Sequence, residues 1–223
     1  MESISNCHSA ADHRTTIVLS LLLIMTCLVL FLPGISTPFV TTGEPREALV
    51  PQTMALEKDL LQSVRYGDDI ATKPPLFHWA IVAASTLTGS VSEASSRLPS
   101  VVASSVCLIA WTLFLIPLLG RQRSMLFFLV LATAGEWYRH AAHARVDMLL
   151  TSFVCLALLC LYRWLEKPSL VGLLLSTILM AGAALTKGPI GVALPLAITG
   201  LTALFWRELT IKKCFQLGIA GTL

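Results

Sequence analysis

Apolar residues in this chain fall into long runs that are separated by short polar segments and by one long polar loop. A helix needs about 20 mostly apolar residues to cross the hydrocarbon core of a bilayer. Seven runs are candidate spans: Thr15 to Ile35, Leu98 to Leu119, Ser124 to Trp137, Met148 to Trp164, Ser169 to Leu185, Pro189 to Trp206, and a last run from Ile211 to Leu223. The pattern predicts an all-α, polytopic membrane protein with about six to seven transmembrane helices.

An eighth apolar run, Pro75 to Gly89, has only 15 residues and is too short to span comfortably. We predict that it forms an interfacial helix lying on the membrane, inside an outer loop that covers residues 36–97. His78 and Trp79 at its start are residue types that suit the headgroup boundary.

Composition supports the membrane assignment and excludes one class of partner. Of the 223 residues, 55% are hydrophobic and only 13% are charged, whereas soluble domains carry about 25% charged residues. The net charge of +3 is spread along the chain, without the basic patch that nucleic-acid binding requires. The six cysteines form no CxxC pair and are predicted to be small buried residues.

The distribution of basic residues predicts that the N-terminus of this multi-pass protein is cytoplasmic. Residues 1–14 form a short cytoplasmic leader, and the first run is a retained anchor because no good cleavage site follows it. With this topology the inner segments hold eight basic residues and four acids, while the long outer segments hold eight basic residues and nine acids.

The polar loop from Gly43 to Pro75 holds two candidate functional residues. Glu44 follows the first span and lies beside Arg46, whose guanidinium would tune its pKa, so it is either a general base or a solvated loop acid. Lys73 precedes two prolines that stiffen the chain, and it is either a phosphate ligand or an interfacial lysine whose amine reaches water.

A second polar segment, residues 136–147, precedes the fourth span. Helical spacing would place Glu136, His140, His143 and Asp147 on one face, which allows a divalent metal. The alternative, which we favour, is that Arg139 or Arg145 contacts a phosphate while the histidines occupy polar interface positions, and we predict no metal or other cofactor. The sequence has neither a Gly-rich phosphate loop nor a GxSxG motif, so a nucleotide is not expected as a direct substrate.

Motifs in a fixed order then carry a family resemblance: EPREA after the first span, Gly67-Asp68, KPPL before an aromatic-rich helix, SRLPS before the second span, an Asp at the start of the fourth, and LTKGP before the sixth. This order resembles the N-terminal half of the polyprenol-dependent glycosyltransferases of GT-C fold. That group includes the lipid A aminoarabinose transferase and, more distantly, the protein O-mannosyltransferases. The resemblance implies one incomplete domain over residues 15–223.

The resemblance also implies roles for individual residues. It matches Glu44 to the second acid of an Asp-Glu pair and Arg46 to the basic residue two positions later. It matches Lys73 to a lysine that meets the carrier phosphate, Asp147 to the acid that opens the fourth span, and Lys187 to the lysine of a Thr-Lys-Gly motif.

Two positions depart from the family pattern. Gly43 stands where many relatives carry the first aspartate, so Glu44 or Glu47 would have to act as the catalytic carboxylate. In relatives a glutamate precedes the Lys-Pro pair, and in some of them this glutamate is a candidate metal ligand. Thr72 stands at that position here.

The expected activity is transfer of a sugar from a polyprenyl-phosphate donor to a lipid, glycan or protein acceptor on the outer face of the inner membrane. The carboxylate of Glu44 would deprotonate the acceptor, with Glu47 as the other catalytic candidate. Lys73, Lys187, Arg46 and Arg145 would bind the donor phosphate, with Asp147 and His143 as further site residues. Partners would be the donor, membrane lipids and a glycolipid or protein acceptor. Two alternatives remain open, a transporter or flippase of a lipid-linked sugar and a truncated non-catalytic membrane subunit.

Overall fold

The computed structural model describes residues 2–61, 73–205, 216 and 220–221, with side chains from residue 16 onward. Over these residues it contains nine α-helices and no β-strand. In chain order the helices are α1 (Glu2–Phe31), α2 (Gly43–Glu57), α3 (Leu76–Thr88), α4 (Glu93–Leu119), α5 (Arg121–Thr133), α6 (Gly135–Ala142), α7 (Val146–Glu166), α8 (Leu170–Lys187) and α9 (Ile190–Phe205).

The predicted all-α membrane architecture is confirmed. Within the described part of the chain, α4, α7 and α8 are long and apolar enough to cross a membrane, and the apolar segments in α1, α3 and α9 are shorter. The number of spans stays a prediction. The run from Ile211 to Leu223 lies almost entirely outside the described residues, as do the side chains of the leader, Gly67-Asp68 and Thr72.

The prediction of a single helix from Ser124 to Trp137 is wrong. Helix α5 ends at Thr133, Ala134 adopts an extended conformation with φ −60° and ψ 126°, and α6 starts at Gly135. Two local features favour a break here: glycine is a poor helix former, and the Thr133 hydroxyl donates to the carbonyl of Leu129 at 2.7 Å. At 13 residues, α5 is about 20 Å long and too short to cross the hydrocarbon core by itself.

The polar stretch predicted as the outer loop is largely helical, because it contains α2 and α3 and the start of α4 at Glu93. Ser92 and Ser95 form a capping box, in which the Ser95 amide donates to Ser92 Oγ at 3.3 Å and the Ser92 amide donates to Ser95 Oγ at 2.7 Å. These bonds satisfy amide groups that the first turn of a helix leaves free.

The apolar run from Pro75 to Gly89 does form a helix, α3, but His78 is buried inside the protein and not on its surface. His78 is only 1% exposed, and Phe77 and Ile81 beside it are fully buried. The two apolar residues pack with Ala144 and Val146 at the start of α7, and α3 also packs against α2 and α4. Because these contacts cover one side of α3, its first turn lies inside the protein.

A tight turn at Gly188 and Pro189 joins α8 to α9. Gly188 has φ +83°, a conformation that residues with a Cβ rarely adopt. Gly191 in the first turn of α9 lies so close to α8 that a Cβ would come within 2.4 Å of the Ala183 backbone.

Antiparallel packing brings several helix ends together at one end of the bundle. These are the C-terminal ends of α1 and α8 and the N-terminal ends of α4 and α7, which lie beside α2 and α3. Arg97, near the start of α4, is the largest fully buried polar side chain at this end and is 1% exposed.

Arg97 ties three segments of the chain together. Its Nε donates to Glu44 Oε1 at 2.8 Å and one terminal nitrogen donates to Glu44 Oε2 at 3.3 Å, a bidentate pair. The other terminal nitrogen donates to the carbonyls of Gly34, Ile35 and Thr37 beyond α1, at 2.8–3.1 Å. We call this group the Arg97 network.

Glu44 is the acceptor at the centre of the Arg97 network, and none of its surface is exposed. It also accepts hydrogen bonds from the amides of Ala144 and Val40, each at 3.1 Å. Burial alone raises the pKa of Glu44, but the bonds from Arg97 and the two amides outweigh burial and lower the pKa to about 2. Glu44 is therefore ionised throughout the physiological pH range.

We predict that Glu44→Gln destabilises the protein strongly, because it leaves the Arg97 guanidinium buried without a counter-charge. Breaking a buried pair of this kind costs about 3–5 kcal/mol of unfolding free energy. Thermal unfolding in detergent micelles measures the loss. Glu136→Gln is the matched control, since it removes an ion pair whose partners are 75% and 58% exposed and should barely change the midpoint. Equal midpoints for the two variants would contradict the prediction.

The same pair predicts a pH dependence. The pKa of Glu44 falls from 4.5 to about 2 on folding, so its stabilising contribution is complete above pH 4.5 and is lost as the pH falls toward 2. The difference in unfolding midpoint between the parent and Glu44→Gln should therefore shrink over this acid range. A difference that stays constant down to pH 2 would show that the carboxylate charge is not the stabilising element.

Candidate active site

Two ion pairs, and one cation without a partner among the described residues, lie next to the Arg97 network at the same end of the bundle. Glu47 of α2 pairs with Lys73, which immediately precedes α3, and Asp147 of α7 pairs with Lys187 of α8. The third cation is Arg145, directly before α7. The structure thus brings together five of the residues that the sequence proposed for the site.

Glu47 divides its carboxylate between two partners. Lys73 Nζ donates to Oε1, and His78 Nε2 lies 3.3 Å from Oε2. Burial raises the pKa of Glu47, but the hydrogen bonds from His78 and Lys73 and the charge of Lys73 outweigh it, so the pKa lies below its usual value. The Glu47 side chain is 12% exposed, so it is accessible from the surface, unlike Glu44.

The second pair joins α7 to α8. Asp147 lies in the first turn of α7 and Lys187 in the last turn of α8, which are the favourable helix ends for an acid and a base. Both side chains are about two-fifths exposed. Lys73 lies close enough for its charge to act on Asp147, so the two ion pairs share one electrostatic environment.

Arg145 is half-buried, and its guanidinium has no hydrogen-bond or ion-pair partner among the described residues. Its backbone is fixed, because its amide and its carbonyl both bond to Ser100 Oγ at 3.3 Å. The guanidinium lies against Gly43, where a Cβ would be 3.4 Å from the nearest terminal nitrogen. An acidic side chain at position 43 would contact the Arg145 guanidinium. Glycine at this position leaves the guanidinium accessible.

The prediction that Arg46 tunes the pKa of Glu44 is wrong, because the neighbouring guanidinium belongs to Arg97. Arg46 is exposed, and none of the ion pairs among the described residues involves it.

His143, by contrast, lies beside the Arg97 network, with Nδ1 at 3.7 Å from Glu44 Oε1. The sequence did contain a signal for Arg97, because a charged residue in SRLPS at the entry to an apolar span needs a buried partner.

The single helical face proposed for residues 136–147 does not form. Helix α6 ends at Ala142, and His143 adopts an extended conformation with φ −116° and ψ 157°, which breaks the spacing of four, three and four. Among the described residues no group of three or more His, Cys, Asp or Glu side chains is arranged to hold a metal ion. The metal hypothesis for this segment loses its geometric basis.

The fold is similar to that of ArnT from Cupriavidus metallidurans. The structure of ArnT bound to undecaprenyl phosphate superposes with a TM-score of 0.74 at 21% identity, over 90% of this chain and 39% of ArnT. The apo structure gives 0.73 at 20% identity, over 93% of this chain and 41% of ArnT. This chain thus spans about two-fifths of the length of ArnT, and the likeness establishes the fold.

The family comparison identifies the chain more directly. Among curated protein sequences none gives a significant match. The family model of the dolichyl-phosphate-mannose-protein mannosyltransferases matches residues 72–223, a stretch from just before Lys73 through α9 and beyond. This match covers more than half of the 223 residues. The chain therefore belongs to the dolichyl-phosphate-mannose-protein mannosyltransferase family.

Proposed function

We propose that this protein is a membrane glycosyltransferase, which takes a sugar from a polyprenyl-phosphate donor and transfers it to a hydroxyl or amine of a lipid, glycan or protein acceptor. The observation that carries the proposal is the group of cations at one end of an apolar helical bundle: Lys73, Arg145 and Lys187. Such a group suits a ligand whose phosphate lies at the membrane surface while its isoprenoid chain lies among lipids.

Arg145 is the first candidate for the donor phosphate, because no described side chain neutralises its charge. Lys73 and Lys187 already have carboxylate partners, so each would exchange that partner for phosphate oxygens when the donor binds. An exchange of this kind costs less than bringing an unpaired charge out of water. The undecaprenyl phosphate bound to ArnT is a ligand of the chemistry that we propose here.

Glu47 is better suited than Glu44 to act as the general base. Both oxygens of Glu44 are engaged in the Arg97 network, and its pKa of about 2 makes it a poor acceptor of a proton. Glu47 is reachable from the surface and pairs with Lys73. When Lys73 moves to the phosphate, Glu47 Oε1 loses its hydrogen bond and the effect of burial raises the pKa of this carboxyl.

The reaction then follows from these positions. Glu47 takes the proton of the acceptor, the acceptor atom forms a bond to the anomeric carbon, and the bond from that carbon to the phosphate oxygen breaks. The electron pair leaves with the polyprenyl phosphate, whose negative charge Lys73, Arg145 and Lys187 stabilise. Attack opposite to the leaving group inverts the anomeric configuration. We infer that the site faces the outer side of the inner membrane, with the N-terminus in the cytoplasm.

Transfer of radiolabelled sugar from polyprenyl-phosphate mannose or polyprenyl-phosphate aminoarabinose, in membranes that contain the chain, tests the function. The proposed function is supported if labelled sugar appears in a membrane or protein fraction only when the chain is present. Tight binding of both donors without transfer to any fraction would contradict a transferase and favour a carrier of lipid-linked sugars.

We predict that Arg145→Ala and Lys73→Ala each weaken the binding of undecaprenyl phosphate by about tenfold or more, because each removes a charge-assisted hydrogen bond of about 1.5–3 kcal/mol. Binding to the purified protein in nanodiscs measures the effect. Arg123→Ala is the matched control, since it removes an exposed cation near the start of α5, at the opposite end of α4 from the site. Equal affinity in all three variants would place the phosphate elsewhere.

We predict that Glu47→Gln lowers the rate of transfer by about 100-fold or more, the usual contribution of a general base, while leaving donor binding within a few-fold. Single-turnover transfer together with donor affinity separates the two effects. Glu57→Gln serves as the control because Glu57 is an exposed carboxylate on the same helix. Unchanged transfer by Glu47→Gln in a folded protein would exclude it as the base.

A further inference from the structure

His78 is a buried histidine whose hydrogen bonding is only half satisfied. It lies in the first turn of α3, and its ring meets that of Phe77 edge-on, with 6.3 Å between centroids. Nε2 contacts Glu47 at 3.3 Å, but Nδ1 is buried and has no hydrogen-bond partner among the described residues. An unpaired buried polar atom is unfavourable, and an apolar side chain would fill this space without that penalty.

A histidine at position 78 can bond to Glu47, whereas an apolar residue could not. With the proton on Nε2, the imidazole donates to Glu47 Oε2, while Lys73 donates to Oε1. Among the described residues, the groups that bond to this carboxylate are Lys73, ahead of α3, and His78, on α3. Glu44, one turn earlier on α2, is already held by Arg97 of α4.

The two partners of Glu47 differ in freedom of movement. The Lys73 side chain is about one-third exposed on a long flexible stem, whereas His78 is enclosed by packed residues. If Lys73 leaves for the donor phosphate, as the proposed function requires, Glu47 Oε1 becomes free while Oε2 keeps its bond to a fixed ring.

We propose that His78 is a positioning residue that holds the Glu47 carboxylate by Oε2 after Lys73 has moved to the donor, so that Oε1 is directed at the acceptor proton. This inference rests on the proposed function. In the transfer step the proton passes from the acceptor to Glu47 Oε1, and His78 neither gains nor loses a proton. Its contribution is orientation, which acts on the rate of transfer rather than on donor affinity.

The test compares His78→Leu, which removes the donor, with His78→Gln, which keeps an N–H donor at similar reach. We expect His78→Leu to lower single-turnover transfer by about 10-fold to 100-fold with donor affinity within about twofold. His78→Gln should recover most of the rate. Phe77→Leu, one position earlier, controls for lost packing, and thermal unfolding of all variants verifies that they are folded. Equal loss in the Gln and Leu variants, or loss of donor affinity, would overturn the proposal.

A second measurement tests the bond between His78 and Glu47 independently of sugar transfer. Infrared difference spectroscopy, with Glu47→Gln subtracted, follows the titration of the Glu47 carboxyl in the intact protein. Losing one hydrogen bond to the carboxylate in His78→Leu should move this titration to higher pH by about one unit, and His78→Gln should restore it. No shift in the Leu variant would overturn the role of His78 even if the parent protein transfers sugar. A shift with no transfer by the parent would instead locate the failure in the proposed function.

Discussion

A single buried charge, the guanidinium of Arg97, constrains the architecture of the site. Its five donors cannot be left unpaired in an apolar interior, so the chain beyond α1 has to present carbonyl oxygens and α2 has to present Glu44. Glu44 in turn accepts from the amide of Ala144, which fixes the segment that carries His143 and Arg145. The end of α1, α2, α4 and the start of α7 are therefore held in one arrangement.

This constraint separates two carboxylates that lie one turn apart on α2. Glu44 is committed to holding segments together, and its low pKa expresses how completely its charge is satisfied. Glu47 has one partner that can leave, Lys73 on a flexible stem at the surface, and one that is enclosed, His78. The same residue type thus takes different roles because the surroundings differ, not because the local sequence does.

Much of the fold could be predicted from the sequence, because apolar runs of spanning length are local signals. The break at Ala134 was missed since the apolar pattern continues through it, and the end of α6 at Ala142 removed the helical face that spacing had suggested. In the site, Glu47, Lys73, Asp147 and Lys187 could be named from motifs. Their pairing could not, because ion pairs such as Asp147 with Lys187 join residues 40 positions apart. The prediction that Arg46 rather than Arg97 tunes the pKa of Glu44 is wrong for the same reason. It assumed that residues close in sequence are also close in space.

The contacts of the Arg97 network can form in a definite order during synthesis of the chain. The carbonyls and the carboxylate that Arg97 contacts all precede it in the chain, so a nascent polypeptide already contains every one of them when α4 leaves the ribosome. The amide of Ala144 that completes the coordination of Glu44 is made 100 residues after Glu44. Chains generally fold from the N-terminus during synthesis. The charged helix start of α4 therefore enters the bilayer with its neutralising partners at hand, and the end of the bundle that carries the candidate site closes only when α7 follows.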